Sequence, residues 1–366
     1  MIDIEQLKKF DRVHPYPAKY PIDLALKYVQ KYTAPKDVVY DPFVGSGTTL
    51  LATSVLDRCG IGTDVNHIAV LISKFKILKL SESDFCDLQI FIDDFATHYL
   101  SEITMVETVY YKSIEHWFCD DSIKVLSLIK NKILNLPDNQ QIFCKTVMST
   151  IINLVSNQES DTRYAAVEKP QLSVEYAANT FIKKFKSILA LCKEFDKNPR
   201  NKDNDAVLLD SRLCTNLIKP NSVDLILTSP PYVNTYDYYL YHKHRMNWLG
   251  YDVQYSMNTE IGSRREYSSL KRTEEKFNKD LIEIFEQCNL VLKENGIAVI
   301  VIGDGKISGK MYDAKKNMIS IAEKIGWKLI DYSFSSLDDT SRAFQQSYRT
   351  KGKKEHILTF RKMVKL

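Results

Sequence analysis

Val38-Val-Tyr-Asp-Pro-Phe-Val-Gly-Ser-Gly-Thr-Thr-Leu-Leu-Ala52 reads as strand, glycine turn and helix. Val38 to Tyr40 form a short apolar strand. Gly45 and Gly47 permit a tight turn, and a helix starts at Thr48 with Leu50, Leu51 and Val55 facing inward. A glycine turn lets a ligand approach the backbone, and the helix N-terminus behind it points N–H groups at that ligand. The spacing lacks the third glycine of a dinucleotide fingerprint and the Gly-Lys-Ser/Thr ending of a P-loop, so it does not imply a phosphate cradle. Gly303 to Lys310 resembles a P-loop only superficially: its glycine spacing is one residue too long, and Met311 stands where a hydroxyl is needed.

A second strand, Cys59 to Thr63, ends at Asp64. That carboxylate follows Gly45 at close to the separation of roughly 20 residues at which an acid meets ribose hydroxyls in such folds. Upstream, His14-Pro-Tyr-Pro-Ala-Lys-Tyr-Pro21 is a proline-punctuated strap carrying Lys19, and Pro21 can open a helix with Ile22, Leu24, Ala25 and Val29 on one face. From about Lys74 to Lys202 apolar residues recur at helical spacing, over Phe85–Tyr99, Ile123–Leu136, Gln141–Val155 and Val174–Phe195. The polar connector Ser156–Pro170, with Arg163, Tyr164 and Lys169, reads as a loop near a site or a partner.

The sheet pattern resumes with Ala206–Asp210, and then with Asn221–Leu227 leading into Thr228-Ser-Pro-Pro-Tyr232. Neither proline can donate to a sheet ladder and each fixes φ near −65°, giving a stiff loop at the carboxyl end of a strand, where open α/β sheets bind ligands. A rigid serine hydroxyl, proline carbonyl and tyrosine ring suit a planar base with an amino group: two oxygens accept from the NH2 and the ring stacks on the heterocycle. A proline-rich strand terminator is the plainer reading of the same residues. Between Tyr232 and Tyr251 six tyrosines are interleaved with His242, Lys243, His244 and Arg245, and Arg264, Arg265, Lys271 and Arg272 follow. Aromatics among cations suit bases and phosphates, although Tyr241–Leu249 also reads as a helix with a tyrosine-rich core face. Leu281–Leu292 and a segment ending at Ile325 read as helices. Gly296–Ile302 reads as a buried strand, and Trp327–Ser335 and Glu355–Arg361 as a terminal strand pair joined by the basic linker Arg342–Lys354. Alternating strands and helices give a mostly parallel sheet covered on both faces.

With 366 residues and 44% hydrophobic content, the chain can bury a large core in two domains or in one domain with a long insertion. A net charge of +4 permits a nucleic-acid partner without demanding one. Seven scattered cysteines with no C-x-x-C pair argue against a zinc site and a disulfide framework and for a reducing cytoplasm; no metal is expected. No stretch approaches the roughly 20 apolar residues of a membrane span, so the expected location is cytoplasmic.

Asp41–Thr49 together with Thr228–Tyr232 resembles the amino-group DNA methyltransferases that use S-adenosylmethionine, in their Ser-Pro-Pro-Tyr, cytosine-N4 form. His14–Pro21 resembles the segment that this family places before its glycine motif. The resemblance implies a Rossmann-like class I methyltransferase sheet, an α/β fold with a large helical insertion. The catalytic domain would span residues 1–73 and 203–366, the insertion 74–202, and a DNA-recognition segment 233–285. It further implies that Phe43, Gly45 and Gly47 line the methionine end of S-adenosylmethionine, with Lys19 and Thr48 in the same set. Asp41 would orient its amino group, Asp64 would take the ribose and Asp210 the adenine. Ser229 and Pro230 would accept from the target amine, with Pro231 stiffening the loop and Tyr232 stacking on a base flipped out of double-stranded DNA. Arg163, Lys169, Arg264, Arg265, Lys271 and Arg272 would contact DNA. A restriction endonuclease acting on the same site would be the partner. The cofactor half here precedes the catalytic half, with the insertion between the second and third strands. An adenine-N6 target, an RNA amino group and a non-catalytic DNA-binding regulator remain the alternatives.

Overall fold

The computed structural model describes residues 3–160, 163–336 and 352–364. Two compact units result. One comprises residues 18–73, 200–239 and 255–366; the other comprises 1–17, 74–199 and 240–254.

The first unit is built on a seven-stranded sheet of β1 (Val38–Asp41), β2 (Cys59–Asp64), β3 (Asp205–Leu208), β4 (Val223–Thr228), β5 (Leu292–Gly303), β6 (Trp327–Ser336) and β7 (Lys354–Lys362). Their order across the sheet is β6-β7-β5-β4-β1-β2-β3. β1 runs parallel to β2 and to β4, β2 to β3, and β4 to β5, whereas β7 is antiparallel to both β5 and β6. The chain moves outward from β1 to β3 and returns to β4 on the other side of β1. The switch point therefore falls between β1 and β4, where such sheets open a ligand crevice at the strands' carboxyl ends. Continuous apolar runs form the middle strands because both faces are covered: Ile297 to Ile302 are all buried. One face shares a core of Tyr40, Ile226, Ala298, Ile300 and Ile302 with Phe277, Leu281 and Phe285 of helix Glu274–Val291 and Ile321 of helix Ala314–Ile325. On β2, a Cβ at Gly62 would lie 2.5 Å from a Val44 methyl, so this glycine lets the turn after β1 close down on the sheet.

The second unit is helical. Its helices include Ile4–Asp11, Glu82–Glu102, Asp120–Leu134, Asp138–Ile151 and Val174–Phe195, and most of Tyr238–Leu249. Stacked rings fill its centre, with Phe10 on Phe75 and Phe195, and Phe181 and Phe185 beside Phe143 and Phe95. Residues 1–17 and 240–254 are tied in by specific bonds. The buried Lys76 ammonium meets Asp11 at 2.6 Å, His14 meets the Ser149 hydroxyl at 2.8 Å, and Arg245 donates to the Ser149 carbonyl at 2.9 Å.

Several segments differ from the sequence-based expectation. The connector 156–170 holds a small antiparallel hairpin, Gln158–Ser160 with Arg163–Ala166; its polar residues carry no apolar alternation to announce strands. Gly305–Ile307 and Lys310–Tyr312, in the glycine-rich stretch after β5, form another hairpin. Pro21, extended at ψ 145°, caps the helix Ile22–Tyr32 and is not its first residue. β5 begins at Leu292, ahead of the expected Gly296, and the preceding helix begins as early as Glu274. Within the basic linker, residues 342–351 lie outside the described residues. Among the described residues, no helix is long and apolar enough to cross a membrane.

Candidate functional site

The glycine turn and the Ser-Pro-Pro-Tyr loop leave neighbouring strands at the switch point, and Asp41 joins them. Its Oδ1 accepts from the Thr228 hydroxyl at 2.6 Å and from the Phe43 N–H at 3.1 Å, and its Oδ2 accepts from the Thr49 hydroxyl. Tyr20, from the strap, hydrogen-bonds Thr49 in turn. Burial pushes the Asp41 carboxyl up to about 6 while these donors hold it down.

Gly45 and Gly47 both sit at positive φ, 48° and 75°. The Gly45 N–H is bound by Asp64 Oδ2 at 2.9 Å, and the other Asp64 oxygen takes the Asn66 N–H at 2.8 Å. Burial raises Asp64 to about 6 against those bonds. Each of its oxygens keeps a lone pair for a further donor. Gly47 is small for an internal reason: a Cβ there would lie 2.8 Å from Ser73 Cα. Thr48 is buried at the start of helix Thr48–Val55, Phe43 is half-buried, and Lys19 is half-buried on the strap.

Asp210 caps the 3-10 turn Ser211–Asn216 after β3. Its carboxylate is engaged by the Arg212 guanidinium, at 3.0 Å from Nε and 2.6 Å from Nη2, and Arg212 also reaches Asp280 at 3.4 Å. Tyr255 lies within electrostatic reach of both Asp64 and Asp210, with burial the main cause of its raised pKa. The buried Asn66 Nδ2 has no partner in the protein. Two carboxylates with room for hydroxyl or amino donors, an unspent amide N–H and a backbone turn free of side chains fit a nucleoside bearing an amino-acid tail.

In the second motif, Ser229 and Pro231 are half-buried, whereas Pro230 is buried. Tyr232 is 6% exposed. Its ring lies against Gly303, where a Cβ would approach it to 2.6 Å, and its hydroxyl donates to Glu355 Oε1 at 2.6 Å. Beside this contact on β7, His356 bridges Asp304 at 3.0 Å and the Tyr332 hydroxyl at 2.9 Å. After the loop, Glu260 accepts the Tyr238 and Tyr239 N–H groups at 2.8 Å each, Asn234 donates to the Gly262 carbonyl, and the Arg265 N–H meets Asp237 at 3.0 Å. Thus 233–266 folds back onto its own start. Arg264 and Arg265 are half-buried here, while Lys271 and Arg272 are exposed. Arg163 and Lys169 belong to the helical unit: Arg163 pairs with Glu159 at 2.7 Å in the hairpin, and Lys169 donates to the Asn153 carbonyl at 3.0 Å.

The family model described as DNA methylase, for the N6/N4 methyltransferases, matches residues 3–75 and 223–366. The chain belongs to this DNA methylase family. Among curated proteins, the type II methyltransferase M.MvaI of Kocuria varians is 26% identical over 60% of this chain and 52% of its own length. The type II methyltransferase M.MjaII of Methanocaldococcus jannaschii is 21% identical over 87% of this chain and 76% of its own. This DNA methylase chain thus spans about half the length of M.MvaI. A solved SAM-dependent methyltransferase from Methanosarcina mazei superposes with a TM-score of 0.38 at 7% identity, covering 92% of this chain and 98% of that one.

Sequence reading missed Glu355, Glu260, Tyr255 and Asn66. Only Asn66 carried a local signal, two positions after the acid that ends β2. The others reach the site from residues distant in sequence.

Proposed function

We propose that this DNA methylase moves a methyl group from S-adenosylmethionine to the 4-amino group of a cytosine flipped out of double-stranded DNA, as the modification arm of a restriction-modification system. The observation that carries the reading is the Asp41–Thr228 bond, which makes the glycine turn and the Ser229 loop one hydrogen-bonded unit. S-adenosylmethionine supplies, when bound, an electrophilic methyl on a sulfonium. In this reading Asp64 takes ribose hydroxyls, Asp210 takes the adenine, and Phe43, Gly45, Gly47, Thr48 and Lys19 surround the methionine end.

An exocyclic amine is a weak nucleophile because its lone pair is delocalised into the ring. Hydrogen bonds from its N–H groups to the Ser229 hydroxyl and the Pro230 carbonyl favour a pyramidal nitrogen with the lone pair free. The prolines hold those acceptors still, so positioning and electrostatics carry the catalysis. The serine in place of an acid or amide favours cytosine. The family embraces both N4 and N6 methylation, which makes adenine the second reading. The designations of M.MvaI and M.MjaII as type II methyltransferases support a restriction partner.

Sequencing that separates 4-methylcytosine from 6-methyladenine, on DNA from cells expressing the chain, tests the proposal. The expected outcome is 4-methylcytosine at one recurrent sequence, abolished by Ser229→Ala. A 6-methyladenine signal would move the target to adenine, and unmodified DNA would overturn the activity.

A further inference from the structure

Glu355 lies on β7, more than a hundred residues from the catalytic loop in sequence, yet it receives the Tyr232 hydroxyl at 2.6 Å. Tyr232 also has a side-chain hydrogen bond with Ser229. Its phenol must donate to Glu355, because an ionised carboxylate only accepts. That leaves the phenol oxygen to accept from the Ser229 hydroxyl, and the Ser229 oxygen to accept from whatever lies beyond. The three groups form a chain in which every donor points the same way, from Ser229 through Tyr232 to a half-buried carboxylate.

The proposed reaction needs such an outlet. When the amine nitrogen forms its bond to the methyl carbon, the sulfur–methyl bond breaks with its electron pair returning to sulfur. The nitrogen is then cationic and must shed one proton. We propose that Ser229, Tyr232 and Glu355 form a proton relay for the methylated amine, with Glu355 as the terminal acceptor; this rests on the reading of the reaction given above. The amine N–H proton passes to Ser229 Oγ, the Ser229 proton to Tyr232 Oη, and the Tyr232 proton to Glu355 Oε1. The products are a neutral methylamino base, unchanged serine and tyrosine, and a protonated Glu355 that returns its proton to water. Burial and the adjacent carboxylate keep the phenol neutral, so it hands a proton on without resting as an anion. Gly303 under the ring and the Asp304–His356 pair beside Glu355 hold the geometry. Glu355 acts through Tyr232 and is a positioning and relay residue, without contact to substrate.

The test uses the full chain, unmodified bacterial genomic DNA and labelled S-adenosylmethionine in single turnover. The parent is expected to slow about twofold or more in heavy water. Glu355→Gln, which keeps an acceptor oxygen but cannot take the proton, should transfer methyl about tenfold to a hundredfold more slowly and lose that isotope effect. Tyr232→Phe should behave alike, while calorimetric affinity for S-adenosylmethionine stays within twofold in both. In the protein alone, the ring-carbon NMR signal of Tyr232, assigned by its loss in Tyr232→Phe, should shift in Glu355→Gln. A Glu355→Gln enzyme with parental rate and isotope effect overturns the relay alone. Loss of rate together with cofactor affinity and melting temperature reduces Glu355 to a strut and also overturns it. A parent that methylates no amino group overturns the reading of the reaction and the relay with it, while the NMR shift still reports whether the contact exists.

Discussion

At the scale of single residues, the site depends on what is absent from Gly303 as much as on what is present in the motifs. A methyl group there would stand 2.6 Å from two ring carbons of Tyr232, well inside van der Waals contact. The ring cannot simply swing aside, because its hydroxyl is fixed to Glu355. Gly303→Ala should therefore displace Tyr232, and with it the Ser229 loop, while the glycine turn after β1 stays intact. Methyl transfer is expected to fall tenfold or more with calorimetric cofactor affinity within about threefold, since misplacement by an ångström is costly to a positioned reaction. Parental turnover in this variant would show that the ring's placement does not matter. Gly303 also marks where sequence reading stops. The glycines of the first turn were legible because they sit between a strand and a helix, and Ser229 was legible because two prolines follow it. Gly303 looked like part of a failed phosphate loop, and nothing local says that a tyrosine more than seventy residues earlier lies on it. Glu355 was illegible for the same reason: its meaning is a contact, and contacts across a sheet leave no trace in spacing.

Among elements, those with strong periodicity were read nearly to the residue. Helix Val174–Phe195 and strand Cys59–Asp64 have the expected limits because apolar spacing and flanking polar residues agree. The hairpins after Ser156 and after Gly303 were missed because short, half-exposed strands have no buried face to pattern. The helix Tyr238–Leu249 shows what packing adds. Its exposed first N–H groups need acceptors, and Glu260 supplies both oxygens from beyond the far end of that helix. Burial pushes this carboxyl from 4.5 up to about 8, although the two N–H groups pull it down. Between those values the unfolded chain ionises freely while the folded protein keeps the proton. Stability is therefore fully present below 4.5 and drains away as pH rises through 8, by about 1.4 kcal/mol per pH unit. Asp41 and Asp64 add a drain of the same sign only up to about pH 6. The buried His14, His242 and His244 oppose it below their ordinary 6.5. The interval from pH 7 to 8 thus isolates Glu260. Denaturant melts should lose about 1 kcal/mol across it, and Glu260→Gln should be flat there. A parental curve that rises over this interval would mean that Glu260 is ionised in the folded state.

For the whole molecule, the unanswered matter is which surface reads the DNA around the target base. The sheet can offer a pocket for one base but cannot contact its neighbours, so another segment must reach base edges. Segment 233–285 continues straight from the catalytic loop, and bonds at Glu260, Gly262 and Asp237 hold it there. Beyond them it presents exposed Lys271 and Arg272, with Arg264 and Arg265 half-buried behind. The helical unit offers Arg163, paired with Glu159 in its hairpin, and Lys169, bound to a backbone carbonyl; both are already partly spent. On that balance the first segment is the stronger groove contact. Alanine at Arg264 and Arg265 keeps the Arg265 N–H on Asp237, so the fold of the segment survives the double change. Its DNA affinity should fall at least tenfold. The slope of log affinity against log salt should flatten by up to about 1.8, roughly 0.9 for each phosphate left without its arginine. Cofactor affinity, measured by calorimetry, should be unchanged, because neither arginine approaches Asp64 or the glycine turn. If the double variant bound and methylated DNA like the parent while Arg163→Ala did not, recognition would belong to the helical unit and its hairpin.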